Sequence, residues 1–206
     1  METVSNRRPL KSRSTRWAAA LTKAILRTPL TPNAISVLGI AFAGLGAAAF
    51  MLAPNGWWWW LVAASCIQLR LLSNMLDGLI AVEGGRFSPT GPLFNEFPDR
   101  IEDSLLLVAA GYAAGQPALG WLAALLAMST AYVRALGGSL GLPQDFAGPM
   151  AKQHRMATLT LGALLSAAVP DVPVMTIALV VIVAGTAWTA IRRLARISLA
   201  LREAAR

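Results

Sequence analysis

Residues 74–103 read NMLDGLIAVEGGRFSPTGPLFNEFPDRIED, and this stretch decides how the rest of the chain is understood. Six of the ten acidic residues fall inside it: Asp77, Glu83, Glu96, Asp99, Glu102 and Asp103. Apolar segments long enough to cross a bilayer lie on both sides of it. A charged side chain at membrane depth costs several kcal/mol, so such residues face the interior of a bundle or a cavity and mark function. The spacing is helical. Asn74 and Asp77 stand three apart, with Gly78 four from Asn74 and Ala81 a turn further, so all share one face. Gly91, Asn95, Asp99 and Asp103 recur every four residues and predict a second polar face. The link around residues 83–89 is short, which predicts two antiparallel helices whose polar faces meet. Small residues at Gly78, Ala81 and Gly91 leave room for a bulky group to approach the backbone.

The composition sets this site in a membrane protein. The 206 residues are 56% hydrophobic and only 14% charged, with a mean hydropathy of +0.56. A soluble domain carries nearer a quarter charged residues. The net charge is +8 and the isoelectric point about 11. In this setting the positive charge points to anionic lipid headgroups and to topology, and not to nucleic acid. The single cysteine, Cys66, excludes an intrachain disulfide and makes a thiolate metal cluster untenable, so it reads as a small packing residue.

The expected architecture is all-α: a polytopic membrane protein of six transmembrane helices preceded by an interfacial amphipathic helix. Residues 1–33 form a basic cytoplasmic segment, in which Trp17, Leu21, Ile25 and Leu26 gather on one face of a helix lying on the membrane surface. Residues 34–190 hold the six spans. The first, 34–53, is 20 uncharged residues, the length that crosses hydrocarbon. Trp57 to Trp60 open the second as an interfacial aromatic belt. The others are expected near 101–114, 118–140, 157–169 and 174–190, with a polar loop at 142–155. Residues 191–206 form a basic cytoplasmic tail. The turns near 54–56, 115–117 and 170–173 contain no Lys or Arg. The positive-inside rule therefore puts both termini and residues 74–103 on the cytoplasmic side, at the cell's inner membrane. Gly111-x3-Gly115 and Gly137-x3-Gly141 offer close helix contacts.

Several carboxylate and amide oxygens meeting in one place require a cation among them, and oxygen-only donors select Mg²⁺, Mn²⁺ or Ca²⁺. Mg²⁺ held by few carboxylates completes its shell with water and substrate phosphate. Arg134, Lys152 and Arg155 are cations able to hold a further phosphate. A divalent metal beside basic residues at headgroup level points to phosphoryl chemistry on a lipid. His154, the only histidine, reads as a solvated loop residue.

At these residues the sequence resembles the CDP-alcohol phosphatidyltransferases, whose signature is D-x2-D-G-x2-A-R-x8-G-x3-D-x3-D. Here it reads Asn74-x2-Asp77-Gly78-x2-Ala81-Val82-x8-Gly91-x3-Asn95-x3-Asp99, with the spacing kept throughout. Thr31-Pro32-Asn33-x2-Ser36 before the first span and the Lys152/Arg155 loop are similar to the family as well. The resemblance implies transfer of a phosphatidyl or phospho-alcohol group from a CDP-linked donor, such as CDP-diacylglycerol, to an alcohol acceptor, with release of CMP. It implies Mg²⁺ or Mn²⁺ as cofactor, Asp99 as the general base, and metal ligands at Asn74, Asp77, Asn95 and Asp99. It places the pyrophosphate beside Gly78, Ala81 and Gly91, and suggests a homodimer. Two motif aspartates are asparagine here, Asn74 and Asn95, and the motif arginine is Val82, as in a divergent bacterial branch. Glu96 and Asp103 are candidates to restore the missing charge. The alternative is a degenerate member that binds a lipid or nucleotide, or scaffolds other enzymes, without catalysis.

Overall fold

The computed structural model describes residues 15–86 and 88–204. The basic residues Arg7, Arg8, Lys11, Arg13 and Arg206 lie outside them. Seven α-helices occur among the described residues: α1 Arg16–Leu26, α2 Pro32–Leu52, α3 Trp58–Glu83, α4 Gly91–Ala113, α5 Pro117–Ser139, α6 Lys152–Ala168 and α7 Val174–Ala204. The all-α expectation holds.

Local chemistry sets the boundaries. The Thr31 hydroxyl accepts the Ala34 N–H at 3.2 Å, and Pro32 occupies the first turn of α2, where its missing N–H costs nothing. The 21 residues of α2 give a rod of about 31 Å. A 3₁₀ turn at Ala53–Asn55 and extended Gly56 then reverse the chain. Together with that turn, α2 is long and apolar enough to cross a membrane, and so are α5 and α7.

Helices α2 to α7 form a closed ring in the order α2, α3, α6, α7, α5, α4, each packed on its two neighbours. This corrects one expectation: α3 and α4 touch little along their length, and each packs on α2 instead. The bundle is apolar along its flanks and polar inside at one end. Arg70, Asp77, Glu102, Asp103, Arg155 and Arg193 are buried, while Leu45, Trp121, Leu125, Val180 and Trp188 are exposed on the flanks. An apolar exterior of this kind suits hydrocarbon. At the other end Phe50, Ala63, Leu107, Ala123 and Leu179 form an apolar core, with Trp60 edge-on to Phe50.

Further expectations shift in register. Helix α4 begins at Gly91, ten residues before the expected span, and runs through Pro98. The sixth span does not end at residue 190: α7 continues unbroken through the basic tail to Ala204. His154 sits on α6, exposed, and not in a loop. On α1 the buried positions are Ala18 and Thr22, with Leu21, Ile25 and Leu26 packed against Met75, Leu76, Leu79 and Ile80, whereas Trp17 points outward. Arg86 ties the end of this helix to the α3–α4 link by donating to the carbonyls of Leu26, Thr28 and Leu30.

Candidate active site

The polar residues converge at the end of the ring where α2, α4 and α6 begin and α3, α5 and α7 approach their C-terminal turns. Asn74 and Asp77 come from α3, Asp99, Glu102 and Asp103 from α4, Ser36 from α2 and Lys152 and Arg155 from α6.

Arg70, one helical turn before Asn74, lies at the centre and is fully buried. Its Nε donates to Glu102 Oε2 at 2.5 Å, and its Nη2 donates to Asp103 Oδ1 at 2.5 Å. Arg155 Nη2 reaches the other oxygen of Asp103 at 3.0 Å. Asp103 is thus gripped by two guanidinium groups. Charge-assisted bonds of this kind are the strong ones, and they hold α3, α4 and α6 in register.

Asp99 is more open. Its Oδ1 accepts from Asn74 Nδ2 at 2.5 Å and from Lys152 Nζ, and Arg100 Nη2 lies 3.5 Å from Oδ2. Asn74 Nδ2 also donates to Glu102 Oε2 at 3.0 Å. Asp77 takes a 2.7 Å hydrogen bond from the Ser36 hydroxyl on Oδ2, while its Oδ1 is buried with no hydrogen-bond partner. Four carboxylates (Glu96, Asp99, Glu102 and Asp103) are shared among five cations, and Asp77 lies outside these ion pairs.

The remaining predicted residues divide into those brought in and those left out. Gly78 is buried beside Asp77, and Ala81 is half-buried. Gly91 faces open space, as an approach route requires. Asn95 is exposed and stands outside the hydrogen-bonded cluster. Glu96 pairs with Arg134, which also donates to Gln144 at 3.1 Å and lies 4.8 Å over the Phe146 ring. Arg155 donates to the Met150 carbonyl at 3.1 Å as well as to Asp103, and is buried, so its guanidinium is committed to the protein. Beyond the bundle, partial burial would raise Asp145, but Arg196 at 2.9 Å and the Ala147 N–H outweigh it and hold this carboxyl below its usual range.

Ser36, Gly39, Arg70 and Glu102 were not marked as functional by the sequence. Each had a signal. Arg70 is four residues before Asn74, Glu102 three after Asp99, and Ser36 and Gly39 are three apart just inside α2.

The donor set suits a hard cation. It is made of oxygen, it includes a buried carboxylate oxygen on Asp77 with no donor, and it lies beside cations fit for phosphate. Among the described residues, no three Asp, Glu, His or Cys side chains form a ready cage. A mixed set of carboxylate, amide and substrate oxygens fits Mg²⁺ or Mn²⁺ instead.

Known proteins share the sequence and the fold. The chain is 34% identical over 149 residues to a bifunctional IPC transferase and DIPP synthase of Rubrobacter xylanophilus, covering 69% of this chain and 33% of that one. It is 29% identical over 152 residues to a phosphatidylinositol phosphate synthase of Mycolicibacterium smegmatis, covering 70% of this chain and 66% of that one. The match thus spans a third of the first relative and just under two thirds of the second. The crystal structure of Mycobacterium tuberculosis phosphatidylinositol phosphate synthase with CDP-DAG bound has a TM-score of 0.74 at 23% identity, covering 89% of this chain and 94% of that one. The same enzyme with manganese and citrate has a TM-score of 0.74 at 22% identity, covering 86% and 87%. No protein-family model matches the chain. Fold and site define a helical membrane protein with an oxygen-rich, cation-braced cluster at one end of its bundle. The chain is thus similar in sequence to part of an IPC transferase and DIPP synthase and to a phosphatidylinositol phosphate synthase, and it shares the fold of a phosphatidylinositol phosphate synthase.

Proposed function

We propose that this protein transfers a phosphatidyl or phospho-alcohol group from a CDP-linked donor to an alcohol, releasing CMP, in phospholipid synthesis. The observation that carries the reading is the convergence of Asn74, Asp77 and Asp99 from two helices in the motif's spacing, with Lys152 beside them. The manganese and CDP-DAG complexes of the structural neighbour support it.

In this reading Asp99 takes the proton of the acceptor hydroxyl. Its Oδ1 is held by Asn74 and Lys152, and Oδ2, with Arg100 Nη2 at 3.5 Å, is the oxygen that acts as the base. The hydroxyl oxygen forms a bond to the donor's lipid-side phosphorus, and the bond from that phosphorus to the bridging oxygen breaks, so that CMP leaves with the electron pair. Lys152 and Arg134 stand where they can meet donor or acceptor phosphates, each exchanging a carboxylate for a phosphate oxygen. Arg155 serves by fixing Asp103. Asn74, Asp77 and Asp99 would hold Mg²⁺ or Mn²⁺, with Asn95 at the open rim, and a bound cation supplies charge neutralisation for the pyrophosphate and the departing CMP. Both oxygens of Asp103 are engaged by Arg70 and Arg155, and Glu96 Oε2 pairs with Arg134, so either would exchange an ion pair for a metal on restoring the charge missing at positions 74 and 95.

The bundle is read as six spans, with both termini and the site at the cytoplasmic face of the inner membrane and a homodimer as the assembly. The absence of Lys and Arg from the three opposite turns supports that orientation. The test is CMP release by purified protein given Mg²⁺ or Mn²⁺, CDP-diacylglycerol and a panel of alcohols. Asp77→Ala and Asp99→Asn are each expected to abolish it, and undiminished turnover in either contradicts the roles given. Asn74 and Asn95 favour a second reading, a binding or scaffold protein without catalysis. Activity that emerges only after Asn74→Asp and Asn95→Asp would establish that one.

A further inference from the structure

We infer that Glu102 is a metal ligand of this site, supplying from the last turn of the polar face the carboxylate that the motif lacks at Asn74 and Asn95. The inference rests on the metal-dependent reading above and adds a residue outside the motif.

Glu102 is fully buried. Its Oε2 accepts from both Arg70 Nε and Asn74 Nδ2, and its Oε1 is buried with no hydrogen-bond partner. A buried carboxylate oxygen left without a donor costs on the order of 1–3 kcal/mol or more, so it calls for a cation or a proton donor in its place. The direction of that oxygen identifies the place. A Cβ on Gly39 of α2 would come within 2.5 Å of Glu102 Oε1 and 3.0 Å of Asn74 Oδ1. Two acceptor oxygens from α3 and α4 therefore lie close together against the α2 backbone, a juxtaposition that only the missing side chain at Gly39 permits.

The amide orientation reinforces this. Asn74 sits between two carboxylates, Asp99 and Glu102, and only its NH₂ end can face them. Its Oδ1 is thereby turned towards Gly39 and the Glu102 Oε1 beside it, as an acceptor with a lone pair to give. Ser36, one turn before Gly39, holds Asp77 Oδ2 and leaves Oδ1 of that residue without a partner. Glu102 and Asn74 thus bring one carboxylate and one amide oxygen together, with the Asp77 carboxylate one turn along α3 from Asn74, a sparse oxygen set of the kind with which Mg²⁺ or Mn²⁺ keeps positions for water and phosphate. Asp103 offers nothing equivalent, because Arg70 and Arg155 hold both of its oxygens, and Glu96 pairs through Oε2 with Arg134 on a half-exposed side chain.

The test is a Mn²⁺ titration of the detergent-purified full chain, following the free-ion EPR signal, together with the rise in melting temperature on adding Mn²⁺. Glu102→Gln keeps the volume and an oxygen for Arg70, and it is expected to weaken Mn²⁺ binding about ten-fold or more and to remove most of the Mn²⁺-dependent rise. A purely structural Glu102 would lower the melting temperature of the metal-free protein and leave that rise intact. Gly39→Ala pushes a methyl group against both oxygens without deleting either and is expected to weaken Mn²⁺ binding comparably. Glu83→Gln, at the exposed end of α3, is expected to bind as the wild type. Wild-type affinity in Glu102→Gln overturns the inference and leaves the proposed function standing. If Glu102→Gln does not fold, unchanged binding in Gly39→Ala overturns it. A wild-type protein that takes up no Mn²⁺ removes the metal-dependent reading itself, and the inference with it.

Discussion

Arg70 carries the charge balance of the site. Its guanidinium meets Glu102 and Asp103 at 2.5 Å each, and it has no exposed surface. Removing one member of a buried ion-pair network leaves its partners charged and dry. Arg70→Ala is therefore expected to cost roughly 3–5 kcal/mol of stability, measured by denaturant unfolding in detergent. A loss below about 1 kcal/mol would mean that water already solvates this network. Asn74, Asp77, Asp99 and Asp103 were legible because three- and four-residue spacing places them on helix faces. Asn95 was assigned to the same face and lies outside the cluster. A step of four residues overshoots a full turn by about 40°, so two steps back from Asp103 rotate Asn95 well away from the interior. Arg70 was visible as a charge in a span, but a helical period cannot say which turn of α4 it meets.

At the scale of the elements, the bundle depends on places where backbones nearly touch. A Cβ on Gly111 of α4 would lie 2.6 Å from the Cα of Gly120 on α5. Gly120→Val is expected to destabilise the protein by roughly 1–3 kcal/mol, read as a lower melting temperature, because neither backbone can yield in a packed interior. A melting temperature equal to the wild type would show that α4 and α5 can separate freely. The sequence offered Gly111 with Gly115 as a packing motif. Gly115 is instead needed in the turn, where its φ of +66° favours glycine, and the contact partner comes from the next helix. The pairing of α3 with α4 was inferred from the short link between them. The ring places α2 against both, and only long side chains cross the remaining space. Local pattern fixes where a helix lies in the chain, and packing choices between helices depend on shapes that no single segment contains.

For the whole molecule, the division into a charged end and an apolar end predicts orientation. With buried Cys66 replaced by Ala, single cysteines at Gln116 and Asp171 are expected to react with an impermeant maleimide from outside the cell. One at Ala147 is expected to react only after the membrane is opened. The reverse pattern would overturn the assigned topology. Composition and hydropathy made the membrane class legible, and the motif made the resemblance to a family legible. The contribution of Glu102 was not, since it depends on an oxygen facing Gly39 across three helices.

The central claim is metal-dependent transfer with Asp99 as base, and CMP release tests it most directly. The measurement compares wild type and Asp99→Asn with CDP-diacylglycerol and an alcohol panel, in Mn²⁺ and after chelation. The wild type is expected to release CMP with at least one alcohol, and to lose that release on chelation and in Asp99→Asn. Equal CMP release by both proteins, or release that survives chelation, would contradict that claim.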